Sequence, residues 1–380
     1  MHSKLLSKLW NAGIQGSMWK WLKAYLTNRS QRVSIDNHHS DILPVLSGVP
    51  QGSILGPTLF IIFINDLPNA VTLSNTLLYA DDTKCFRPIH TDLDQQYLQE
   101  DLDSLASWSR NWDLAFNEAK CVLLKLHHKK IQITSTYSIN QNIISEKKEY
   151  RDLGVIISGD LTWTSHYNKI TSKAYRSLGL LRRTFSKVLA IATKRTLYLS
   201  LVRSHLMYCS QVWKPHLLGD IKLLENVQRR ATKFILHDFT SNYKQRLMQL
   251  SLLPLMMEFE LQDIMFFITQ IKSPSSHFQL FNHISFNNNN STRSSTFYKL
   301  SHSPSSNNLT RNHYFQRLPR LWNALPPVDL NQSLHTIKIK LKQTLRQHFH
   351  THFNPDITCT FHFLCPCSKC LSVPLSPNFN

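Results

Sequence analysis

The stretch LLYADDTKCF, residues 77–86, limits the possible fold more than any other part of the chain. Two β-prone runs, NTLLYA and TKCFRP, flank the adjacent carboxylates Asp81 and Asp82. In one continuous strand these would point to opposite faces, and one of them would meet the core. A hairpin avoids that conflict by carrying both to its tip. The stretch therefore predicts two antiparallel strands joined by a two-residue turn made of Asp81 and Asp82. Neighbouring carboxylates repel each other unless a cation neutralises them, so such a tip suits a divalent metal. A site with only oxygen donors favours Mg²⁺ or Mn²⁺ over Zn²⁺. An acidic turn that is merely solvated has the same sequence, so the pair alone does not decide between the two readings.

Around this hairpin the chain changes period several times. Residues 3–26 read as two helices, with Leu5, Leu6, Leu9 and Trp10 on one face and Gly13 and Gly16 at the break. QRVSID and DILPVLSGVPQG read as short strands about the polar turn 36–40. PTLFIIFINDL, opened by Gly56 and Pro57, predicts a helix that is apolar nearly all round and hence buried. After the hairpin, Thr91 is placed to cap a long helix whose Leu98, Leu102, Leu105, Trp108 and Trp112 recur every three or four residues. KCVLLKL and YRDLGVIIS return to strand character. This order predicts an α+β domain with helices packed on an antiparallel sheet.

Residues 166–239 read as wholly helical. In HYNKITSKAYRSLGLLRRTF an apolar stripe runs beside Lys169, Lys173, Arg176 and Arg183, which share a neighbouring face. A basic face of that kind fits phosphate-backbone contact, and equally an ordinary solvated surface. Arg229, Arg230 and Lys233 form a second basic cluster, residues 272–310 are rich in Asn and Ser and read as a connector, and LHTIKIKLKQTLRQHF is a last helix.

The formal charge of +19, from 43 Lys and Arg against 24 Asp and Glu, points to polyanionic partners, above all nucleic acid. The longest apolar run, residues 59–64, is too short to cross a bilayer, and the first residues lack a signal-peptide core. The chain is thus expected inside the cell, in nucleus or cytoplasm, and not secreted. Four of its seven cysteines fall in the last 22 residues. There Cys359, His362, Cys365, Cys367 and Cys370 offer enough soft donors for one tetrahedral Zn²⁺, though the spacing, with a C-x-C inside it, fits no standard finger and free thiols remain the competing reading.

SGVPQGSILGPTLF, LLYADD, FNEAKC and YRDLGVIIS, in that order, resemble the palm motifs of reverse transcriptases from non-LTR retrotransposons of the jockey-like kind. LVRSHLMYCSQVW, LENVQRRATKFI and YFQRLPRLWNALP extend the resemblance over nearly the whole chain. It implies that Asp81 and Asp82 hold the catalytic metals, and that Pro50, Gln51 and Gly52 border the incoming nucleotide and template, as does Tyr79 beside the acidic pair. It further implies that Lys120 lies near the triphosphate, that Tyr150 to Val155, with the turn at Leu153 and Gly154, belong to a primer grip, and that the basic helices after His166 form a thumb. A solvated surface lysine and a plain tight strand turn are the competing readings of Lys120 and of Leu153 and Gly154. Expected partners are an RNA template, a DNA primer and deoxynucleoside triphosphates, with no membrane.

The resemblance also implies one further carboxylate, on a strand upstream of the segment HSKLLSKL that here starts at His2. Asp36 and Asp41, in a polar turn, are not expected to replace it. The expectation is therefore an N-terminally truncated polymerase, inactive by itself, with a non-catalytic nucleic-acid-binding remnant as the alternative. The expected plan is a partial palm over 1–165 and a helical thumb over 166–255. A helical region with the connector over 256–354 and a cysteine-rich tail over 355–380 would follow.

Overall fold

The computed structural model describes residues 2–127, 135–185, 189–273, 282–286, 299–301 and 311–365. The chain divides into two compact units, Met1–Tyr150 and Arg151–Asn380. Most of the Asn- and Ser-rich connector, with Cys367 and Cys370, lies outside the described residues.

The first unit opens with two helices, α1 (His2–Asn11) and α2 (Gly16–Leu26). Leu5, Leu6 and Leu9 of α1 and Leu22 and Leu26 of α2 pack with Leu59 and Phe63 into one core. Trp10, expected on the buried face, is 47% exposed, and Lys8 takes the inner position instead. At 3.6 residues per turn Trp10 falls on the margin of the arc centred between Leu5 and Leu9, and its ring packs edge-on against Trp19.

Short strands follow: β1 (Ser30–Gln31), β2 (Ser34–Ile35), β3 (His38–His39) and β4 (Leu43–Pro44), paired β1 with β4 and β2 with β3, both antiparallel. Asp36 and Asn37 turn the inner pair with φ of 45° and 69°, a left-handed conformation that short polar side chains tolerate. Helix α3 (Leu55–Ile64) buries Leu59, Phe63 and Ile64 but leaves Ile61 54% exposed. The expectation of burial all round is thus corrected. Within the first unit α1 packs against α3, whose Phe63 and Ile64 meet Trp108 and Trp112 of the later helix 92–112, while the side that carries Ile61 is left open.

The acidic hairpin is formed by β5 (Asn75–Tyr79) and β6 (Asp82–Phe86), and helix α4 (Asp92–Trp112) comes next. Thr91 accepts from the Asp94 N–H while the Asp94 side chain accepts from the Thr91 N–H, a reciprocal cap. Leu105 and Trp108 of α4 join Ile64 and Leu67 in a second core, against which Leu78 and Cys85 of the hairpin pack. Beyond it lie β7 (Val122–Leu124), β8 (Ser138–Ile139), β9 (Asn142–Ile143) and β10 (Ser145–Lys147). Strand β7 pairs with β10 in parallel, and β8 with β9 in antiparallel register. Among the described residues the strands make two-stranded pieces, not the continuous antiparallel sheet expected, so the architecture is α+β with local pairing.

The junction carries β11 (Glu149–Asp152) and β12 (Val155–Ser158), which pair with each other. The second unit is otherwise helical. Its long helices are α5 (Thr164–Thr184), α9 (Leu218–Leu236), α11 (Leu255–Lys272) and α13 (Leu334–His352). The shorter α6 (Ile191–Leu197), α7 (Ser204–Met207), α8 (Ser210–Trp213), α10 (Tyr243–Gln249) and α12 (Tyr314–Ala324) fill the gaps. A π-helical turn, Tyr198–Arg203, links α6 to α7. One continuous core runs from Val155 to Phe361, and each fully buried large apolar side chain in it contributes about 1.5–3 kcal/mol. No helix among the described residues is long and apolar enough to cross a membrane.

Candidate active site

The hairpin register is Tyr79 with Asp82, Leu78 with Thr83, Leu77 with Lys84, Thr76 with Cys85 and Asn75 with Phe86. The turn is therefore made of Ala80 and Asp81, with Ala80 at φ 51°, and Asp82 is the first residue of β6. This moves the turn one residue earlier than the sequence suggests. The two registers differ by two residues in cross-strand pairing, so both keep Leu78 and Cys85 on the core side, and the apolar pattern cannot separate them. Asp81 and Asp82 are both exposed, and among the described residues neither carboxylate makes a hydrogen bond or ion pair. Tyr79, opposite Asp82, is 65% exposed.

While its tip is free, the base of the hairpin is clamped. Asp101, 1% exposed on α4, accepts the N–H groups of Thr72 at 2.9 Å and Leu73 at 3.1 Å. Arg87, just after β6, donates to the carbonyl of Leu73 and pairs with Asp94 at 2.9 Å. The His90 N–H, then Arg87 and Thr91, hold the Asp94 carboxyl far below the usual carboxylate range. Sequence reasoning found neither Asp101 nor Arg87, because their partners lie a loop or a helix turn away. The one available signal was an acid, Asp101, on the apolar side of α4.

Pro50, Gln51 and Gly52 form a separate turn before α3. Gly52 has φ 79°. The Ser53 hydroxyl donates to the Pro50 carbonyl at 2.7 Å and accepts the Gly56 N–H at 3.0 Å. A Cβ on Gly56 would lie 2.9 Å from that same carbonyl oxygen, so glycine is required there for the turn to close onto the helix. Gln51 and Gly52 are exposed and Pro50 is half-buried. Lys120 sits exposed at the end of the 3₁₀ turn Glu118–Lys120. The neighbouring Glu118 carboxylate is taken by the side chains of Asn140, at 2.7 Å, and Asn142.

Two carboxylates at an exposed tip are hard oxygen donors of the kind Mg²⁺ or Mn²⁺ uses, and such ions keep several waters. Among the described residues no third His, Cys, Asp or Glu completes a metal-holding group. Asp36 and Asp41 stay exposed in their own turn region.

In the second unit, Leu153 and Gly154 make the two-residue turn of the β11–β12 hairpin, with φ of 44° and 93°. The Tyr208 hydroxyl donates to the Leu153 carbonyl at 2.9 Å. On α5, Lys169, Arg176 and Arg183 are exposed and Lys173 is half-buried. The described part of the tail is docked, not free. Phe353 and Phe361 are 3% and 2% exposed, and Arg229 donates to the Pro355 carbonyl at 2.6 Å. His362 is 2% exposed with Nδ1 3.4 Å from Glu260. Cys367 and Cys370, which the expected zinc site also needs, lie outside the described residues. Cys359 and Cys365 are half-buried thiols, and among the described residues no group of three His, Cys, Asp or Glu is placed to hold a metal.

The reverse transcriptase (RNA-dependent DNA polymerase) family matches residues 1–157. The RNA-directed DNA polymerase from mobile element jockey of Drosophila melanogaster is 30% identical over 220 residues, 54% of this chain and 24% of that protein. The jockey polymerase of Drosophila funebris is 28% identical over 208 residues, 52% of this chain and 22% of its own length. A probable RNA-directed DNA polymerase from transposon BS of Drosophila melanogaster is 28% identical over 225 residues, 56% of this chain and 25% of that protein. The chain thus spans about a quarter of the length of these curated relatives. No solved structure matches it. With the ordered motifs lying inside the matched segment, residues 1–157 match the reverse transcriptase family, and the chain is similar over about half its length to RNA-directed DNA polymerases of jockey-like mobile elements.

Proposed function

We propose that this chain is part of an RNA-directed DNA polymerase in which Asp81 and Asp82 hold Mg²⁺ or Mn²⁺. The observation that carries the reading is the pair of unpartnered carboxylates at the free tip of a hairpin clamped at its base by Asp101 and Arg87. A metal bound there lowers the pKa of a primer 3′-hydroxyl and offsets charge on departing pyrophosphate. Gln51 and Gly52 border the incoming deoxynucleoside triphosphate and the RNA template, and the absence of a side chain on Gly52 lets backbone approach the ligand. Pro50 and Ser53 hold that turn in shape. Tyr79 stands opposite Asp82 at the mouth of the site, and Lys120 serves the triphosphate as cation and proton donor. Leu153 and Gly154 touch the DNA primer, and Lys169, Lys173, Arg176 and Arg183 contact backbone phosphates.

A second reading, a nucleic-acid-binding polypeptide without catalysis, is favoured for these 380 residues by themselves. Among the described residues no third acid joins the pair to bridge two metals. The two readings separate in one experiment. This chain is substituted for the aligned segment of the jockey polymerase and tested for primer extension on an RNA template, beside the 380-residue polypeptide alone. The polymerase reading expects extension by the chimera, lost on Asp81→Asn, and none by the polypeptide alone. A chimera that binds primer and template yet extends as well with Asp81→Asn as without it refutes the assignment of Asp81.

A further inference from the structure

Two long stretches of the chain, residues 161–219 and 330–355, contain no Asp or Glu, and the second unit brings parts of both together. Helix α13 buries Ile337, Leu341 and Leu345 and packs on α11. Lys338, Lys342 and Arg346 each follow one of these by one position. At four-residue intervals they form a single row along the edge of the buried face. Lys338 and Arg346 are exposed and Lys342 is half-buried. Among the described residues neither lysine makes a hydrogen bond or ion pair.

Two arginines from the first stretch join the row. Burial lowers the Lys342 pKa, Glu258 pulls it up, and Arg203, at the end of the π-helical turn, pushes it down together with Lys338 and Arg346. Arg203 itself pairs with Glu258 at 3.1 Å. Arg195 of α6 donates through Nε to the Leu250 carbonyl at 2.6 Å, and Arg346 through Nη2 to the next carbonyl, that of Ser251, at 3.4 Å. A carbonyl orients a guanidinium without neutralising it, and each of these arginines keeps further N–H donors. Arg195, Arg203, Lys338, Lys342 and Arg346 thus stand about one carboxylate, Glu258, with positive charge well in excess.

A solvated helix face is more stable with both signs mixed, because like charges four residues apart repel and weaken the helix. Here that repulsion is kept, and backbone carbonyls hold two of the arginines in place. We propose that this row is a nucleic-acid contact surface, separate from the stripe on α5, that takes the phosphate backbone of one strand. From Lys338 to Arg346 the helix rises about 12 Å, the length of about three to four phosphates along a strand. An acidic protein would need an apolar centre to its interface, and Ile337, Leu341 and Leu345, which flank the row, are already buried. The surface depends neither on the metal site at Asp81 and Asp82 nor on the part assigned to α5.

The test uses the full chain and a fluorescent single-stranded oligo(dT), with affinity read by anisotropy from low to high salt. The combined change Lys338→Gln, Lys342→Gln and Arg346→Gln is expected to weaken binding at least about tenfold at low salt and to flatten the plot of log affinity against log salt by about 2, or 0.7 per phosphate. Its melting temperature should hold or rise, since the like charges are gone. If that variant fails to fold, Lys338→Gln with Arg346→Gln, both at exposed positions, is expected to flatten the slope by about 1.4. The α5 variant Lys169→Gln, Arg176→Gln and Arg183→Gln, measured alongside, separates the two surfaces. A loss confined to the α13 variant supports this proposal and counts against the α5 stripe, and a loss confined to the α5 variant does the reverse. Unaltered affinity and slope in a folded α13 variant overturn the proposal. So does polyglutamate that, at matched charge, displaces the oligo(dT) as well as unlabelled oligo(dT) does, which would assign the row to an acidic protein.

Discussion

The Tyr208 hydroxyl reaches the Leu153 carbonyl at 2.9 Å, tying the β11–β12 turn to the helical body of the second unit. The same ring limits the next residue, since a Cβ on Gly154 would lie 3.3 Å from Tyr208 Cε1 at a backbone φ of 93°. Gly154→Ala is therefore expected to destabilise the second unit by about 1–2 kcal/mol from backbone strain alone. Tyr208→Phe, at a ring 57% exposed, should cost less, about 0.5–1 kcal/mol. Urea denaturation of the two variants ranks them. A neutral Gly154→Ala would show that the turn adapts freely and is not held by Tyr208.

In the first unit the critical polar group is Lys8. Its ammonium donates to the Phe63 carbonyl and to Asp66, both at 2.5 Å, and lies 3.7 Å from the centre of the Trp112 ring. It is 8% exposed, and burial lowers its pKa although Asp66 pulls the other way. Lys8→Ala removes the ion pair, the aromatic contact and packing between α1 and α4 together, for an expected loss of about 2–4 kcal/mol. Asp66→Ala should cost less than Lys8→Ala because the carboxylate is 41% exposed and the ammonium keeps the Phe63 carbonyl and the rings. Tryptophan fluorescence through a denaturant titration reads both, and equal losses would show that the pair outweighs the cage.

Glu225 should take stability away from the second unit between about pH 4.5 and 7, against the opposite contribution of the buried His166, whose lowered pKa adds stability over the same range. Glu225, 0% exposed on α9, accepts from Tyr243, from Gln228 and from the Leu255 N–H at the start of α11. Burial outweighs these donors and pushes its carboxyl up to about 7. A raised folded pKa means that the folded state holds a proton the unfolded chain has released. The contribution is complete below pH 4.5 and is lost as pH climbs through 7, to the extent of about 3 kcal/mol. Glu225→Gln should flatten this slope. Denaturation at pH 5 and pH 8 checks it, and an unchanged slope in the variant assigns the pH dependence elsewhere.

What the sequence made legible was local. Thr91 and Asp94 lie three residues apart and form the cap their types suggest, and the acidic hairpin exists because its strand signals and turn lie within twelve residues. Its register was not legible, since both registers bury the same side chains. Lys8, Asp101 and Tyr208 were missed for a different reason. Their partners lie 58, 29 and 55 residues away, and no short pattern reports a long-range hydrogen bond. The contact of His362 with Glu260, 102 residues away, was likewise not legible in the sequence.

The exposed stripe on α5 should set the salt dependence of nucleic-acid binding. Changing Lys169, Lys173, Arg176 and Arg183 to Gln is expected to flatten the plot of log affinity against log salt by about 0.7–0.9 for each phosphate that is no longer neutralised. Lys173, half-buried, should contribute least. Filter binding from low to high salt measures the slope, and an unaltered slope would mean that this face meets solvent only.

The central claim is that the hairpin tip is a metal-binding carboxylate pair, and titration of the chain with Mn²⁺, followed by the loss of its free electron-spin-resonance signal, tests it most directly. The wild type is expected to take up Mn²⁺ saturably, with competition by Mg²⁺, and the double variant Asp81→Asn, Asp82→Asn to lose that uptake while keeping its circular dichroism. Identical Mn²⁺ isotherms for the two folded proteins would contradict the account.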